Sequence, residues 1–214
     1  MSYIAERRVE EKERRRAEIV DAAERLYAEK GWDSVTMHQV AKAARLSRAL
    51  LYVYFRDRDE LHFAIGERAL AVLRARFLDA VAGHARGLDQ VEAIGRAYMA
   101  YAHEFPHYFD ICARIQAHAM SADPGSNEGA CAVAGEAAIA VVVQAIRTGM
   151  QDGSIRTDIG DPMLFAVTLW AFTHGVIQLM AKGTDLARLG VAIPDFSEYA
   201  LSLLGSLSAP RTAS

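Results

Sequence analysis

The chain is predicted to be all-α, with a small N-terminal helical module on a larger helical body. Three observations lead there. No stretch alternates apolar and polar residues with period two for long enough to make a strand. Apolar residues recur instead at helical spacing, as in Ile19, Ala23, Leu26 and Tyr27, and again in Phe196, Tyr199, Ala200, Leu203, Leu204 and Leu207. Charge density also changes along the chain. Residues 1–60 hold 13 Lys/Arg and 12 Asp/Glu, whereas residues 61–214 hold 11 and 15 on an Ala-rich apolar background. An apolar content of 52% with a net charge of -3 excludes a disordered chain and suffices for a sizeable core.

Helices are expected near residues 8–30, 37–44, 48–54, 58–83, 88–103, 106–121, 128–151, 162–182 and 195–207. Thr36 followed by Gln39, and Asp57 followed by Glu60, have capping-box spacing. Asp161-Pro162 and Pro194-Asp195 place a proline and a capping aspartate where helices begin. No Pro/Gly/Ser linker separates the two compositions, so the boundary is drawn by charge density: an N-terminal module over 1–58 and a body over 59–214.

Cys112 and Cys131 form no C-x-x-C pair and cannot staple a chain of this length, so they read as reduced thiols of a cytoplasmic protein. The N-terminal run MSYIAERRVEEKERRR offers no apolar stretch, and no signal peptide is expected. Residues 163–181 carry no Asp, Glu, Lys or Arg and approach bilayer length. Their threonines, histidine, glycine and glutamine are costly at the midplane of a lone span, which favours a helix buried by its own domain and by a partner.

The informative segment is Thr36 to Phe55, TMHQVAKAARLSRALLYVYF. Val40, Ala41 and Ala44 form one face of a two-turn helix. A break follows at Arg45-Leu46-Ser47, and the Ser47 hydroxyl can cap the next helix. Leu51, Tyr54 and Phe55 then point back to the same core. Two short helices joined by such a turn make a helix-turn-helix, which leaves Ser47, Arg48, Ala49, Leu50 and Tyr52 facing outward at a width suited to the DNA major groove. Spacing alone also fits any small three-helix unit.

Residues 13–61 resemble the DNA-binding domain of the tetracycline-repressor (TetR) family. Ile19 and Ala23 on the first helix, Gly31 ending it, Thr36, Val40-Ala41, Leu46-Ser47, Leu51-Tyr52, Tyr54-Phe55 and Arg58-Asp59-Glu60-Leu61 carry the pattern. Gly149, Gly153, Ile155-Arg156 and Asp161-Pro162 extend it, as does the Trp170, His174, Gly175 arrangement of a subset of these regulators. Arg45 stands where the pattern has the turn glycine, Ala49 where it has glycine or proline, and Leu50 where it usually has threonine. The resemblance implies phosphate contacts from Thr36, Tyr52, Tyr54 and Arg58, and base reading by Arg48, Ser47 and Leu50 with a contribution from His38. Arginine bidentate to guanine is the commonest specific contact, and leucine can meet a thymine methyl. Arg14, Arg15 and Arg16 sit among Glu11, Glu13 and Glu18, as an ordinary solvated helix face would.

The uncharged helix 162–182 and the apolar stripe of 195–207 present more apolar surface than one small body covers, which marks an interface. Paired with their two-fold mates they would build a homodimer, with Phe165, Leu169, Phe172, Ile177, Phe196, Tyr199, Leu203 and Leu207 at the contact. A two-fold axis then demands a palindromic operator in double-stranded DNA. The resemblance further implies a small-molecule effector in the body. Tyr98, Tyr101, Phe105, Tyr108, Phe109, Cys112, Met120, Trp170 and His174 are the candidate lining, and a packed core would show the same stripe. The scarcity of fixed charge there suits a largely apolar ligand.

Neither a metal nor a cofactor is expected. His103 and His107 have ligand spacing, but Pro106 breaks their shared face, and Cys112 and His118 complete no set. No phosphate-binding glycine loop, nucleophile elbow or H-E-x-x-H occurs, which leaves catalysis without a motif. The expected function is a homodimeric transcriptional repressor released from its operator by the effector. The alternative is a helical dimeric scaffold that does not read DNA.

Overall fold

A computed structural model describes residues 3–115, 123 and 125–209; the side chains of 4, 184, 185 and 207 are outside that description. Among the described residues there are ten α-helices and no strand: α1 Tyr3–Lys30, α2 Met37–Ala43, α3 Arg48–Tyr54, α4 Arg58–Ala82, α5 Gly87–Glu104, α6 Pro106–Ile115, α7 Asn127–Asp152, α8 Pro162–Ala181, α9 Thr184–Arg188 and α10 Ile193–Ser208. The chain forms two compact units, one of residues 1–69 and 106–133, the other of 70–105 and 134–214. Composition placed the division at residue 58. The structure divides the chain inside α4 and α7 instead, because α6 packs against α1.

The first unit is built around α1. Ile19, Val20, Ala22, Ala23 and Tyr27 are buried with Trp32, Val35, Val40, Ala41, Leu51, Phe55, Leu61 and Ile65. Gly31 adopts φ 75° and stops α1, and a 3-10 turn over Trp32–Ser34 leads to α2. The Thr36 hydroxyl accepts from Gln39 N at 3.3 Å, while Gln39 Oε1 accepts from Thr36 N at 3.0 Å, so this capping box is complete. The second box is half formed. Asp57 accepts from Glu60 N at 2.8 Å, but the Glu60 carboxylate reaches back to Arg56 N rather than to Asp57.

A polar layer joins α1, α4 and α6. The Tyr27 hydroxyl donates to Asp110 at 2.6 Å and the Tyr108 hydroxyl to Glu24 at 2.7 Å. Arg68 donates to Asp21 and Glu24 at 2.6 and 2.9 Å, and Arg114 to Asp110 and Asp33. Burial first, and then these carboxylate contacts, push both tyrosine hydroxyls well above their ordinary pKa. Burial likewise pushes the Cys131 thiol up to about 12, so it stays protonated and inert at neutral pH.

The second unit packs α5, α8 and α10 together. Its helix ends depend on residues distant in sequence. Asp152 at the end of α7 accepts from Gly87 N at 2.8 Å, and the Ser154 hydroxyl accepts from Leu88 N at 3.0 Å, which caps α5 in place of a side chain of its own. Hydrogen bonds donated by the Ser154 hydroxyl, first, and by Gly87 N and Ser154 N hold the Asp152 carboxyl below its ordinary range. Gly87 permits the close approach: a Cβ there would overlap the backbone of Gly149 and lie 2.6 Å from the Ala145 carbonyl oxygen. Gly149 in turn faces the Ile155 side chain, which a Cβ would meet at 2.5 Å.

Asp161 caps α8 by accepting from Met163 N and Leu164 N, as the Asp-Pro signal predicts. The Pro-Asp signal is misread, because α10 begins at Ile193 after Ala192, with Asp195 in its first turn and no side-chain cap. The five-residue α9 carries no periodic signal and was not expected. Among the described residues two helices, Asn127–Asp152 and Pro162–Ala181, are long and apolar enough to cross a membrane by length and composition. In α8, however, Ala166, Leu169, Thr173, His174, Val176 and Ile177 are buried within the protein.

Candidate nucleic-acid interface

Local chemistry decides the geometry of the helix-turn-helix. Beyond α2, Leu46 N donates to the Ala41 carbonyl at 2.8 Å and Arg45 N to the Lys42 carbonyl at 3.1 Å. These are the two bonds of a Schellman ending, which places the intervening residue in the left-handed region. That residue is Arg45, at φ 57°, the single described non-glycine with positive φ. The absent turn glycine therefore leaves the turn intact, at a strain of about 1 kcal/mol. Ser47 starts α3 by accepting from Leu50 N at 3.1 Å. Its hydroxyl proton, like that of Thr36, remains available to donate outward.

Leu51 and Phe55 are fully buried and fix α3 on its inner side. Ser47, Arg48, Ala49, Leu50 and Tyr52 are all exposed, with His38 and Thr36 exposed on and before α2. Arg48 makes no ion pair among the described residues. Segment 36–55 contains Lys42, Arg45 and Arg48 and no acidic residue, so the near-zero balance of residues 1–60 conceals a locally cationic surface. That signal was legible in the sequence and is sharper than the overall charge.

Two expected contacts sit differently. Arg58 is half-buried, donating to the Val35 carbonyl at 3.4 Å with its guanidinium 5.5 Å from the Trp32 ring centroid, so it braces the turn before α2. Tyr54 is half-buried and lines a groove of about 680 Å³ with Tyr3, Arg7, Arg8, Glu10, Glu11, Lys12 and Arg14 of α1. Arg14 is paired with Glu11 and Glu18, as its neighbours suggest, and Arg15 with the same two residues. Arg16 bonds Asn127 and stacks on Phe55 at 5.4 Å. Arg7, Arg8 and Lys12 make no ion pair among the described residues; their i, i+4 relation at 8 and 12 was the available signal. Sequence reading also passed over Val53, which is 73% exposed on α3.

The candidate ligand lining draws on both units. Tyr98, Tyr101, Phe105, Trp170 and His174 belong to the second unit, but Tyr108, Phe109 and Cys112 belong to the first. There Tyr108 is committed to Glu24 and the other two are buried. Met120 lies outside the described residues. In the second unit His174 is buried, its Nδ1 2.8 Å from the Tyr98 hydroxyl and its Nε2 3.1 Å from Gln178 Nε2. A neutral imidazole satisfies both, accepting from the Gln178 amide and donating to Tyr98, and burial lowers the His174 pKa in that direction.

Residues 19–65 match the family described as bacterial regulatory proteins, tetR family, and residues 91–202 match the tetracyclin repressor-like C-terminal domain. The chain belongs to the TetR family. It is a DNA-binding transcriptional regulator, and the helix-turn-helix above is its reading head. An HTH-type transcriptional repressor of Mycobacterium tuberculosis is 28% identical over 185 residues, covering 84% of this chain and 89% of its own. Among solved structures, a Rhodococcus sp. RHA1 protein of unknown function has a TM-score of 0.76 at 23% identity, over 92% of this chain and 96% of its own. The Thermus thermophilus repressor FadR, solved with lauroyl-CoA, has a TM-score of 0.62 at 20% identity, over 92% and 97%. At these identities the structural likenesses establish the TetR fold.

Proposed function

We propose that this TetR-family regulator is a cytoplasmic homodimeric repressor that binds a palindromic operator and leaves it when a small, largely apolar effector binds. The observation that carries the reading is α3 itself: seven residues anchored by buried Leu51 and Phe55, with an exposed and locally cationic outer side. Arg48 reads a guanine, Ser47, His38, Ala49 and Leu50 lie against neighbouring base edges, and Thr36, Tyr52 and Tyr54 hold phosphates. Arg7, Arg8 and Lys12 join the phosphate contacts. Arg58 acts by bracing the turn.

The dimer forms through α8 and α10. Leu164 at 69% exposure, Met163, Val167, Leu179 and Tyr199 leave apolar area uncovered, with Phe165, Phe172, Phe196 and Leu203 half-buried beside them. Leu169 and Ile177 are buried in their own unit and drop out of the expected contact set. Leu207 lies outside the described side chains. For the effector, Tyr98, Trp170, His174 and Gln178 supply aromatic surface with two polar handles. The Thermus thermophilus neighbour was solved with lauroyl-CoA, whose acyl chain is apolar and whose CoA part is polyanionic, so only the chain is of the expected kind.

Selection of bound sequences from a random duplex pool tests the reading. An enriched palindrome is expected, bound with an affinity that falls by about 0.9 log unit per log unit of salt for each phosphate neutralised. Failure of a folded dimer to enrich any sequence would leave the scaffold reading. Leu164→Glu should convert the protein to monomers at micromolar concentration by sedimentation, and persistence of the dimer would refute the interface. Release of the selected operator by lauroyl-CoA, tracked by fluorescence anisotropy, probes the effector class.

A further inference from the structure

We infer that this regulator recognises thymine methyl groups through an apolar ridge of Ala49, Leu50 and Val53 on α3, with Val53 as the specificity-determining residue. The inference rests on the reading that α3 enters the major groove. At about 100° per residue, Leu51 and Phe55 lie roughly 160° to either side of Val53, so the valine is diametrically opposite the buried face. Ala49 and Leu50 flank it within about 60° on that same count. Val53 is 73% and Leu50 40% exposed, and Ala49 is exposed. The outermost surface of the reading helix is therefore apolar and contiguous, while its one charge, Arg48, lies about 140° round from Val53 and is exposed because it stands in the first turn.

Single exposed apolar residues need no explanation, but three together on a helix that must desolvate against DNA do. A valine at the floor of the major groove can make no hydrogen bond with a base edge. Against guanine, cytosine or adenine it would strand donors and acceptors away from water, a cost that the thymine C5-methyl avoids. Ala49 and Val53 are about 6 Å apart along the helix, close to two base-pair steps of about 3.4 Å. The ridge accordingly fits thymines one or two base pairs apart in each half-site. Arg48, one residue before Ala49 at the helix start, is left to read a guanine at the edge of that run.

The test uses the full-length protein and a duplex obtained by random-pool selection. Each thymine of one half-site is replaced in turn by deoxyuridine, which removes the methyl and leaves the pairing edge unchanged. For one or two positions the wild-type protein should lose about fourfold in affinity, the worth of one buried methyl. Val53→Ala should bind the thymine duplex correspondingly more weakly and lose its sensitivity to uridine at one of those positions. Leu50→Ala should do the same at the other. Circular dichroism checks that these exposed-site variants fold. Wild-type indifference to every methyl, or undiminished sensitivity in Val53→Ala, would overturn the inference while leaving sequence-specific binding intact. If no sequence is enriched at all, the DNA reading fails and this inference with it.

Discussion

The two units make their stability from different material. In the first, short helices are locked by local devices and by a layer of carboxylates satisfied from tyrosine and arginine. Thr36 and Ser47 cap, Arg45 turns, and Glu24 and Asp110 accept from Tyr108 and Tyr27. In the second, helices lie close enough that glycines must stand between them, and one helix is capped by the end of another. A reading head must hold each side chain at a set angle to DNA, and directional hydrogen bonds do this well. In the body, steric fit sets how closely the helices approach.

Glycine substitutions should break this contrast most visibly. Gly87→Ala forces a methyl into the backbone of Gly149 and is expected to cost about 3 kcal/mol in denaturant unfolding, because two backbones cannot both yield. Gly66→Ala in the first unit meets the tip of Ile115, with the Cys131 sulfur 3.1 Å away, and should cost only about half as much. Equal losses would mean that the second unit is no more tightly fitted than the first. Next in size, Tyr108→Phe is expected to cost about 1.5 kcal/mol, since the half-buried Glu24 carboxylate loses a short donor. A neutral outcome would show Arg68, with His107 Nε2 3.9 Å away, sufficient to satisfy Glu24.

Arg45→Gly should stabilise by about 0.5–1 kcal/mol by relieving positive φ. It should also weaken operator binding, because a cation leaves the reading surface; calorimetry and anisotropy on one preparation separate the two effects. Smallest is a pH effect in the second unit. His174 has a lowered pKa, so the unfolded chain takes up its proton more readily. Its contribution is present above the ordinary histidine range near 6.5 and is lost as pH falls through the lowered value. His174→Gln should flatten the melting temperature over that interval, and an unchanged profile would assign the dependence to other groups.

Legibility in the sequence followed the same divide. Thr36–Gln39, Ser47, Leu51 and Phe55 act over three or four residues, so their roles could be read from spacing and are found in place. Asp161-Pro162 worked for the same reason. Pro194-Asp195 has an equally local signature but failed, since α10 starts two residues earlier. Arg58 was assigned to DNA because the family pattern places a charge there, yet the side chain turns back to Val35 and Trp32. The aromatic set was expected to gather into one lining. Tyr108, Phe109 and Cys112 belong to the first unit, where a carboxylate 84 residues earlier takes the Tyr108 hydroxyl.

By itself the sequence determined the helical class, the helix-turn-helix and its outward residues, because periodicity and capping are local and their free energies are decided within a turn or two. Tertiary structure alone decided that α6 belongs with the first unit, that Gly87 seats against Gly149, and that Leu169 and Ile177 are spent inside their own unit. These outcomes depend on which distant surfaces meet, and a linear pattern of apolar residues says that a face must be covered without saying by what.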